Sequence, residues 1–293
     1  MQRVTIAGPG RMGGALALSL SAAGYTIESI IGRDRGPSRS IAKRLKSAPT
    51  ISDFRSSIPI TSDIVFITAS DPAIKEVAEA LAPRLVKKAA VFHTSGSLSS
   101  NELDSIRRES AAVGSIHPLV SISTPNVDVN AFRGVYFCVE GDTRAVRLGK
   151  QITRRLGGRP FSIDPEMKPL YHLAAVAAAG HFVALADTAF SLMSRAGVSR
   201  REAQKILIPL IKSTVSNLEV QETATALTGT FARGDIAALE RQIDVLSRKA
   251  TDLERSVYLD LALRSIELAA GRVAPEILDR MRALIVMANQ KGR

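Results

Sequence analysis

Four histidines are the side chains of this chain best suited to exchange a proton near neutral pH. His117 lies in the loop after a predicted strand, and His172 lies on a long predicted helix. His172 follows Lys168 by one helical turn, so both project from one face and could bind an anionic substrate group or move a proton. Ser95, His117 and His172 are the catalytic candidates. For His117, a role as a structural anchor of its loop stays equally open.

The other two histidines have weaker claims to the chemistry. His181 follows His172 by about 900° of helical rotation, so the two rings face opposite sides of an unbent helix. Only a kink near Gly180 or a partner subunit would bring both into one site. We keep His181 as a substrate-binding candidate, beside the alternative of a residue at a helix–helix or dimer contact. His93 ends a predicted strand and is expected to be structural.

Hydroxyl and charged side chains supply the remaining candidates. Ser95 lies in the segment HTSGS, 93–97, where its hydroxyl could bond a nicotinamide or a substrate, although hydroxyls are common in such loops. Arg233 and Asp235 form either a substrate clamp contributed by the helical domain or a helix cap beside a surface arginine. Lys168 is a further substrate-binding candidate. We find no Ser/His/Asp arrangement with a nucleophile elbow and no metal-ligand spacing.

The N-terminal residues predict a cofactor site that would supply the hydride chemistry. The β-prone run Val4–Ala7 is followed by GPGRMG at 8–13 and then by an Ala/Leu-rich helical pattern, the context that a G-x-G-x-x-G motif requires. Gly8 allows a tight turn, Gly10 lets a pyrophosphate approach the backbone, and Gly13 lets the helix pack on the strand. The helix N-terminus attracts the anion. The predicted cofactor residues of this loop are Gly8, Pro9, Gly10, Arg11, Met12 and Gly13.

The second predicted strand, Tyr25–Ile31, decides between the two nicotinamide cofactors. An acid at its end favours NAD, whereas an arginine accommodates the 2′-phosphate of NADP. Asp34 lies beyond the usual acid position and between two arginines. We predict that Arg33 and Ser38 bind the 2′-phosphate, that the cofactor is NADP and that NAD is less favoured. The alternative is a merely basic loop.

A third strand carries the nicotinamide end of the site. Asp63–Ala69 is a near-continuous apolar run, typical of a strand buried on both faces of a parallel sheet. Loops that leave the carboxyl ends of such strands line the ligand crevice. Ala69, Ser70 and Asp71 are therefore predicted to contact the cofactor near the segment 93–97.

The order of elements predicts an α/β fold in two domains. A Rossmann-type, doubly wound domain is expected over residues 1–164 and an all-helical substrate and dimerisation domain over 165–293. Further strands are predicted at Ala89–Phe92, Val113–Ile116, Gly134–Val139 and Pro160–Ile163, and helices at Ser40–Lys46, Ala73–Leu81 and Thr143–Leu156. The helical part begins with one helix, Glu166–Ala196, and continues with Arg200–Glu222, Asp235–Leu246, Asp252–Ala270 and Pro275–Ala288.

Composition limits the classes of partner. The formal charge of +11 comes from basic residues scattered among acids, and only 4% of residues are aromatic, so base-stacking nucleic-acid surfaces are poorly supplied. The single cysteine fits a reducing compartment, and we expect a cytoplasmic protein. The apolar run Leu173–Ala186 is short for a membrane span. The small residues of 174–180 predict a homodimer through the helical domain.

With these motifs identified, the chain resembles the Rossmann-like oxidoreductases whose C-terminal half is the "domain of unknown function 2520". The resemblance is carried by GPGRMG at 8–13, Ser70-Asp71 with Ala73-Ile74, HTSGS at 93–97, GSIHPL at 114–119, YHLAA at 171–175 and ALTGTFARGD at 226–235. More broadly, it is similar to the pyrroline-5-carboxylate reductase, prephenate dehydrogenase and deazaflavin-dependent NADP reductase group. That group implies an NADP domain joined to a dimerising helical domain like that of 6-phosphogluconate dehydrogenase. The family usually has proline at the position of Thr230 and often asparagine at that of His181.

Together these observations predict an NADP-dependent oxidoreductase acting on a small, carboxylate-bearing imine or carbonyl substrate. The alternative is a catalytically inactive, NADP-binding regulatory protein, since no Lys/Asn pair like that of the hydroxyacid dehydrogenases is evident. Neither a metal, a nucleic acid nor a membrane is expected as a partner.

Overall fold

A computed structural model of the chain describes residues 2–86, 88–108, 111–124 and 128–290. It contains two compact units, unit 1 (Met1–Ala179) and unit 2 (Gly180–Arg293). The division falls later than the predicted boundary after residue 164. The reason is that the residues following Asp164 pack within unit 1, where Lys168 is fully buried.

Unit 1 is built on one eight-stranded sheet in the order β3-β2-β1-β4-β5-β6-β7-β8. All neighbouring pairs are parallel except β6 and β7, which run antiparallel. The strands are β1 Arg3–Ala7, β2 Thr26–Ile31, β3 Thr50–Ser52, β4 Ile64–Ile67, β5 Ala90–His93, β6 Ala112–Pro118, β7 Tyr136–Gly141 and β8 Arg159–Phe161.

The central strands β4 and β5 are buried along their whole length, as expected of strands covered on both faces. Phe66 and Phe92 stack with ring centroids 5.6 Å apart on one face of the sheet. Val65 and Val91 belong to a second apolar cluster. The predicted Rossmann-type, doubly wound sheet is confirmed.

The helices of unit 1 connect these strands. They are α1 Arg11–Ala22, α2 Arg35–Ala42, α3 Ile74–Leu81, α4 Asp104–Arg108, α5 Thr143–Arg155 and α6 Lys168–Val176. The helix predicted at Ser40–Lys46 begins earlier, because Pro37 lies near its start, where the fixed φ of proline fits a first helical turn. The edge strand β3 was missed, since three residues are too few to show an alternating pattern.

The sheet places ligand-binding loops at one point. β2 and β4 lie on opposite sides of β1, so the strand order reverses there and the carboxyl ends of β1 and β4 open a crevice. β5 and β6 follow on the same side as β4. The loops after these strands therefore share one edge of unit 1.

Unit 2 is helical, as predicted. Leu239, Leu259, Ile266, Met281 and Ile285 lie in its core. The helices are α7 Phe182–Arg195, α8 Arg200–Val220, α9 Thr223–Ala226, α10 Gly229–Ala232, α11 Ile236–Lys249, α12 Asp252–Ala269 and α13 Pro275–Gln290.

The single helix predicted over Glu166–Ala196 is interrupted in the structure. A π-helical turn, Ala177–His181, separates α6 from α7 within the small-residue stretch. The whole run Pro165–Arg195 is long and apolar enough to cross a membrane by length and composition, with a mean hydropathy of 1.6 over its best 18-residue window. None of that window is buried.

Candidate functional site

The glycine loop after β1 forms a cradle that fits a dinucleotide pyrophosphate. Gly8 has φ +104°, and a Cβ there would lie 2.8 Å from the backbone N of Ala69. A Cβ on Gly13 would lie 2.2 Å from the carbonyl oxygen of Gly8, so only glycine lets α1 pack this closely. At Gly10 the space is open, with nothing within 4 Å of a Cβ position. The first-turn N–H groups of α1 have no intrahelical acceptors, and its N-cap Gly10 offers no side-chain bond.

A cavity of about 330 Å³ opens beside this loop. Six of the predicted cofactor residues line it, namely Gly8, Pro9, Gly10, Arg33, Ala69 and Ser70. It is also lined by Asp34, Pro37, Phe54, Thr68, Ala73 and Val77. The exposed guanidinium of Arg33 beside the cradle fits an anionic adenosine-side group. The residues present therefore fit a dinucleotide.

Three of the other predicted cofactor residues, Arg11, Met12 and Ser38, do not line this cavity. Arg11 is exposed and donates to the carbonyl of Ser123 (3.5 Å), and Met12 packs on the core of the sheet. Ser38 is fully buried and its hydroxyl donates to the carbonyl of Asp34 (3.4 Å). We therefore correct the assignment of Ser38 as a direct phosphate ligand, since Ser38 does not line the cavity.

Two of the catalytic candidates, His117 and His172, meet at the carboxyl end of β6. Their rings lie 5.9 Å apart at an interplanar angle of 79°. Nδ1 of His117 is 2.7 Å from the hydroxyl of Tyr171, which fixes the ring. Gly96 lies against both rings, since a Cβ there would be 2.4 Å from Nδ1 of His172 and 2.9 Å from Nε2 of His117. These residues lie far apart along the chain, and the fold brings them together.

Among the described residues, His117 and His172 each have one ring nitrogen without a hydrogen-bond partner. Nδ1 of His172 is buried, and none of these residues forms a hydrogen bond with it. For Nε2 of His117, no bond occurs within the part of the chain that the structure describes. Buried polar atoms are normally paired, so the buried, unpaired Nδ1 of His172 next to the ring of His117 makes this histidine pair the candidate site for a ligand's polar group.

His117 is neutral over the physiological range. Its pKa is lowered from 6.5 to about 4, first by burial and then by the charge of Lys168 and the neighbouring His172, while Asp71 opposes the shift. A neutral imidazole has one donor and one acceptor nitrogen. If Tyr171 donates to Nδ1, then Nε2 carries the proton, and if Tyr171 accepts, Nε2 is the acceptor.

Lys168 lies beneath this pair and not on the surface of the site. Its side chain is fully buried, and Nζ donates to the carbonyl of Ser95 (2.7 Å) and the hydroxyl of Ser115 (2.6 Å). Burial lowers the pKa of Lys168, while Glu140, Cys138 and Asp71 oppose that shift. The predicted contact of Lys168 with substrate is therefore corrected, because its ammonium group is enclosed by protein.

The segment 93–97 is tied down by its own side chains. The hydroxyl of Ser95 accepts from the backbone N of Ser97 (3.1 Å) and of Leu98 (3.0 Å), so Ser95 shapes the turn. Nε2 of His93 is 3.0 Å from the carbonyl of Ser99, its Nδ1 accepts from the backbone N of Ser95, and burial lowers its pKa to about 4. His93 is structural, as expected. Ser97 donates to the carboxylate of Asp71 (2.7 Å), so Asp71 supports this turn as well.

The remaining predicted substrate residues belong to unit 2. His181 closes the π-helical turn with an exposed side chain. Arg233 ends α10 and is exposed. Asp235 caps α11, accepting from the backbone N of Ala238 (2.9 Å), which is the helix-cap alternative weighed for it.

Sequence reasoning missed Tyr171, Gly96 and Ser115. Ser115 and His117 lie two residues apart on β6, so their side chains point to the same face of the sheet. This two-residue spacing could have predicted that they belong to one site. Tyr171 is three residues after Lys168 on the same helical face. Gly96 carried no signal, since its need for a small side chain arises only from the packing of two distant histidines. Within the described residues, no group of three His, Cys, Asp or Glu side chains could hold a metal ion.

The fold joins a Rossmann-type, doubly wound sheet that carries a glycine loop to a helical second unit. Residues 3–94 match the family model described as "NADP oxidoreductase coenzyme F420-dependent". Residues 135–265 match the "domain of unknown function (DUF2520)". The two family models thus match the N-terminal and the C-terminal parts of the chain in turn, which confirms the resemblance seen in the sequence.

Solved structures share this two-part fold. A candidate NADP oxidoreductase of Bacteroides fragilis is 19% identical at a TM-score of 0.69, covering 99% of this chain and 98% of its own. A Thermotoga maritima protein is 24% identical at 0.65, covering 98% of each chain. Pyrroline carboxylate reductase of Plasmodium falciparum, solved with NADP bound, is 11% identical at 0.56, covering 100% and 98%. Among curated proteins, none matches the sequence.

Proposed function

We propose that this protein is an NADP-dependent oxidoreductase that transfers a hydride to or from a small, carboxylate-bearing imine or carbonyl compound. The observation that carries the proposal is the packing of His117 and His172 against Gly96, with one ring nitrogen of each histidine unpartnered among the residues that the structure describes. In the same unit, the glycine loop forms a cradle that fits a dinucleotide.

In this proposal the cofactor is held by the glycine loop and by Arg33. Gly8, Gly10 and the first turn of α1 would hold the pyrophosphate, and Arg33 the 2′-phosphate. Ala69 and Ser70 line the same cavity after β4. NADPH when bound supplies the hydride, which leaves the protein to orient the substrate and handle one proton.

His117 and His172 would orient the substrate and handle this proton. The neutral ring of His117 is suited to hydrogen-bond the nitrogen or oxygen of the reacting bond and to take its proton in the oxidation direction. In the reduction direction, a protonated imine needs no further proton, whereas a carbonyl oxygen would take one proton that solvent supplies through the site. The pyrroline carboxylate reductase among the structural neighbours supports an imine substrate.

The cofactor assignment is tested by titrating the protein with NADPH and NADH and following nicotinamide fluorescence. We expect NADPH to bind more tightly than NADH. Arg33→Ala should weaken NADPH binding roughly ten- to hundredfold, the value of a charge-assisted phosphate contact, and leave NADH binding nearly unchanged. Arg147→Ala, which removes an exposed charge from α5, is the matched control.

Activity is then sought with NADPH and a panel of cyclic imines and 2-oxo acids, followed by the loss of nicotinamide absorbance. Tight NADPH binding without turnover on any substrate would favour the inactive regulatory alternative. Absence of binding to either nucleotide would overturn the proposed function altogether.

A further inference from the structure

Lys168 forms a closed hydrogen-bonded triangle below the histidine pair. Its ammonium group donates to the carbonyl of Ser95 and to the hydroxyl of Ser115, at 2.7 and 2.6 Å. The same hydroxyl donates to the same carbonyl at 3.3 Å. Ser95 belongs to the turn that follows β5, and Ser115 lies within β6. The triangle therefore fastens the turn carrying Gly96 to the strand carrying His117.

The charge in this triangle is not neutralised by a direct ion pair. Within the described part of the chain, no carboxylate lies within 4.0 Å of Nζ of Lys168. Glu140 acts on Lys168 electrostatically, but its carboxylate is occupied by the backbone N and the hydroxyl of Ser100, both at 2.9 Å. A buried cation without a bonded counter-charge imposes its field on its neighbours, because little water is present to screen it.

We propose that Lys168 is a positioning residue that locks the turn 93–97 against β6 and holds a buried positive charge under His117 and His172. The ammonium group never touches the substrate. Its hydrogen bonds set where Gly96 lies between the two rings. Its charge adds to the effect of burial in favouring the neutral form of His117, and it makes the site favour a substrate that carries a negative group.

The charge of Lys168 acts on the pKa of His117 together with the other titratable groups around this ring. The titratable groups that act on this ring or contact it come from four neighbouring elements of unit 1: Asp71 after β4, His93 of β5, Cys138 of β7, and Lys168, Tyr171 and His172 of α6. Of these, Lys168 lowers the pKa of His117 most after burial itself. A positive neighbour disfavours a second positive charge, so removing the Lys168 charge must raise the pKa of His117.

The decisive experiment separates charge from hydrogen bonding at this position. Lys168→Gln keeps a donor for Ser95 and removes the charge, Lys168→Arg keeps the charge, and Lys150→Gln on α5 is a control for charge removal elsewhere. The ring C–H signals of the four histidines are titrated by NMR, and His117→Asn assigns the signal of interest. This measurement needs no substrate and no turnover.

We expect His117 in the wild type to titrate at about pH 4. In Lys168→Gln its midpoint should rise by about one pH unit, while Lys168→Arg and Lys150→Gln leave it unchanged. An unchanged midpoint in a folded Lys168→Gln variant would overturn the inference. If that variant does not fold, Ser115→Ala offers a second test, since it removes two of the three hydrogen bonds of the triangle and should alter the signals of the turn 93–97 without changing the His117 midpoint. Unchanged turn signals in that variant would refute the fastening role.

The expected effect on catalysis rests on the proposed function. The hydrogen bonds of Lys168 and the effect of its charge on His117 do not. Where activity is found, the acid limb of the kcat/KM profile should move to higher pH in Lys168→Gln together with the NMR midpoint. Failure of the proposed function would appear as absent NADPH binding or turnover with the NMR shift intact. Failure of the inference would appear as an unmoved midpoint in an active enzyme.

Discussion

Gly96 is the residue on which the packing of the two histidines depends most directly. A methyl group there would come within 2.4 Å of the unpaired Nδ1 of His172 and 2.9 Å of His117. Neither ring can retreat freely, because His117 is bonded to Tyr171 and packs against it at a centroid distance of 5.6 Å. The narrow space is thus set by backbone and rings together.

Replacing Gly96 by alanine should therefore damage catalysis and spare cofactor binding. We expect kcat/KM to fall roughly a hundredfold, because displacing reacting groups by about 1 Å has effects of that size. The dissociation constant for NADPH should stay nearly constant, since Gly96 does not line the cofactor cavity. Gly36→Ala is the control, as a Cβ there meets nothing within 4 Å. Wild-type kinetics in Gly96→Ala would show that the two rings do not act on substrate.

Single residues also show where sequence reasoning reaches its limit. Residue type and spacing singled out His117, His172 and Lys168, because a histidine or lysine at a strand end or on one helical face has a recognisable chemistry. The degree to which these side chains are buried could not be predicted. Lys168 and Ser38 were assigned to ligands, yet both are fully buried. Burial depends on how the whole unit closes over a side chain, which a local pattern does not contain.

Among the elements, α12 begins with a network that depends on one ionised carboxylate. Glu254 completes a capping box with Thr251 and also accepts from Ser191 and Arg195. The hydrogen bonds from Ser191 and the backbone of Thr251 lower its pKa from 4.5 to about 2. In unit 1 the shifted groups are histidines, which are positively charged when protonated. Burial lowers the pKa of His93 and His117 from 6.5 to about 4.

The two units should lose stability in different acid ranges. A histidine with a lowered pKa binds its proton more readily in the unfolded chain, so unit 1 is destabilised as the pH falls from 6.5 toward 4. Glu254 stabilises unit 2 fully above pH 4.5, and that contribution is lost as the pH falls toward 2. Urea unfolding followed by NMR signals assigned to each unit should show unit 1 weakening first between neutral pH and about pH 5.

The variant Glu254→Gln provides the control for the second range. Its unit 2 should be less stable at neutral pH and should lose less stability below pH 4.5 than the wild type. Simultaneous weakening of both units at about pH 5 would contradict the assignment of these groups.

Elements were predicted well where their pattern was long. β4, α5 and α12 fall within a few residues of expectation, since apolar runs and caps define them locally. The π-helical turn at Ala177–His181 was not predicted, because alanine and glycine fit a regular helix equally well. The antiparallel placement of β7 was also not predicted, since a strand's direction in a sheet is not encoded in its own residues.

At the scale of the whole molecule, assembly depends on the apolar surface that unit 2 exposes. Within unit 2, α7 and α8 expose several large side chains, of which Val183 is 68% and Leu210 62% exposed. Exposed apolar patches of this kind mark interaction sites. We propose that a second copy of the chain covers α7 and α8, which gives the predicted homodimer a different surface from the small-residue stretch at 174–180. The cytoplasmic location stays a prediction.

Light scattering of the purified protein should therefore give the mass of a dimer at micromolar concentration. Leu210→Glu, which places a charge on the apolar face of α8, should shift the population to monomer. Val86→Glu changes an exposed apolar residue of unit 1 and should leave the dimer intact. A monomeric wild type would refute the dimer, and association only in the presence of lipid vesicles would point to a membrane surface as the occupant.

Cys138 has a practical consequence for studying this chain. It is the only cysteine, it lies buried in β7, and burial raises the pKa of its thiol to about 11. Thiol-directed reagents require an accessible thiolate, so the native chain is nearly inert toward them. A cysteine introduced on either unit would then carry a fluorophore or spin label against a silent background. Distances and motions between the units become measurable without first removing a native residue.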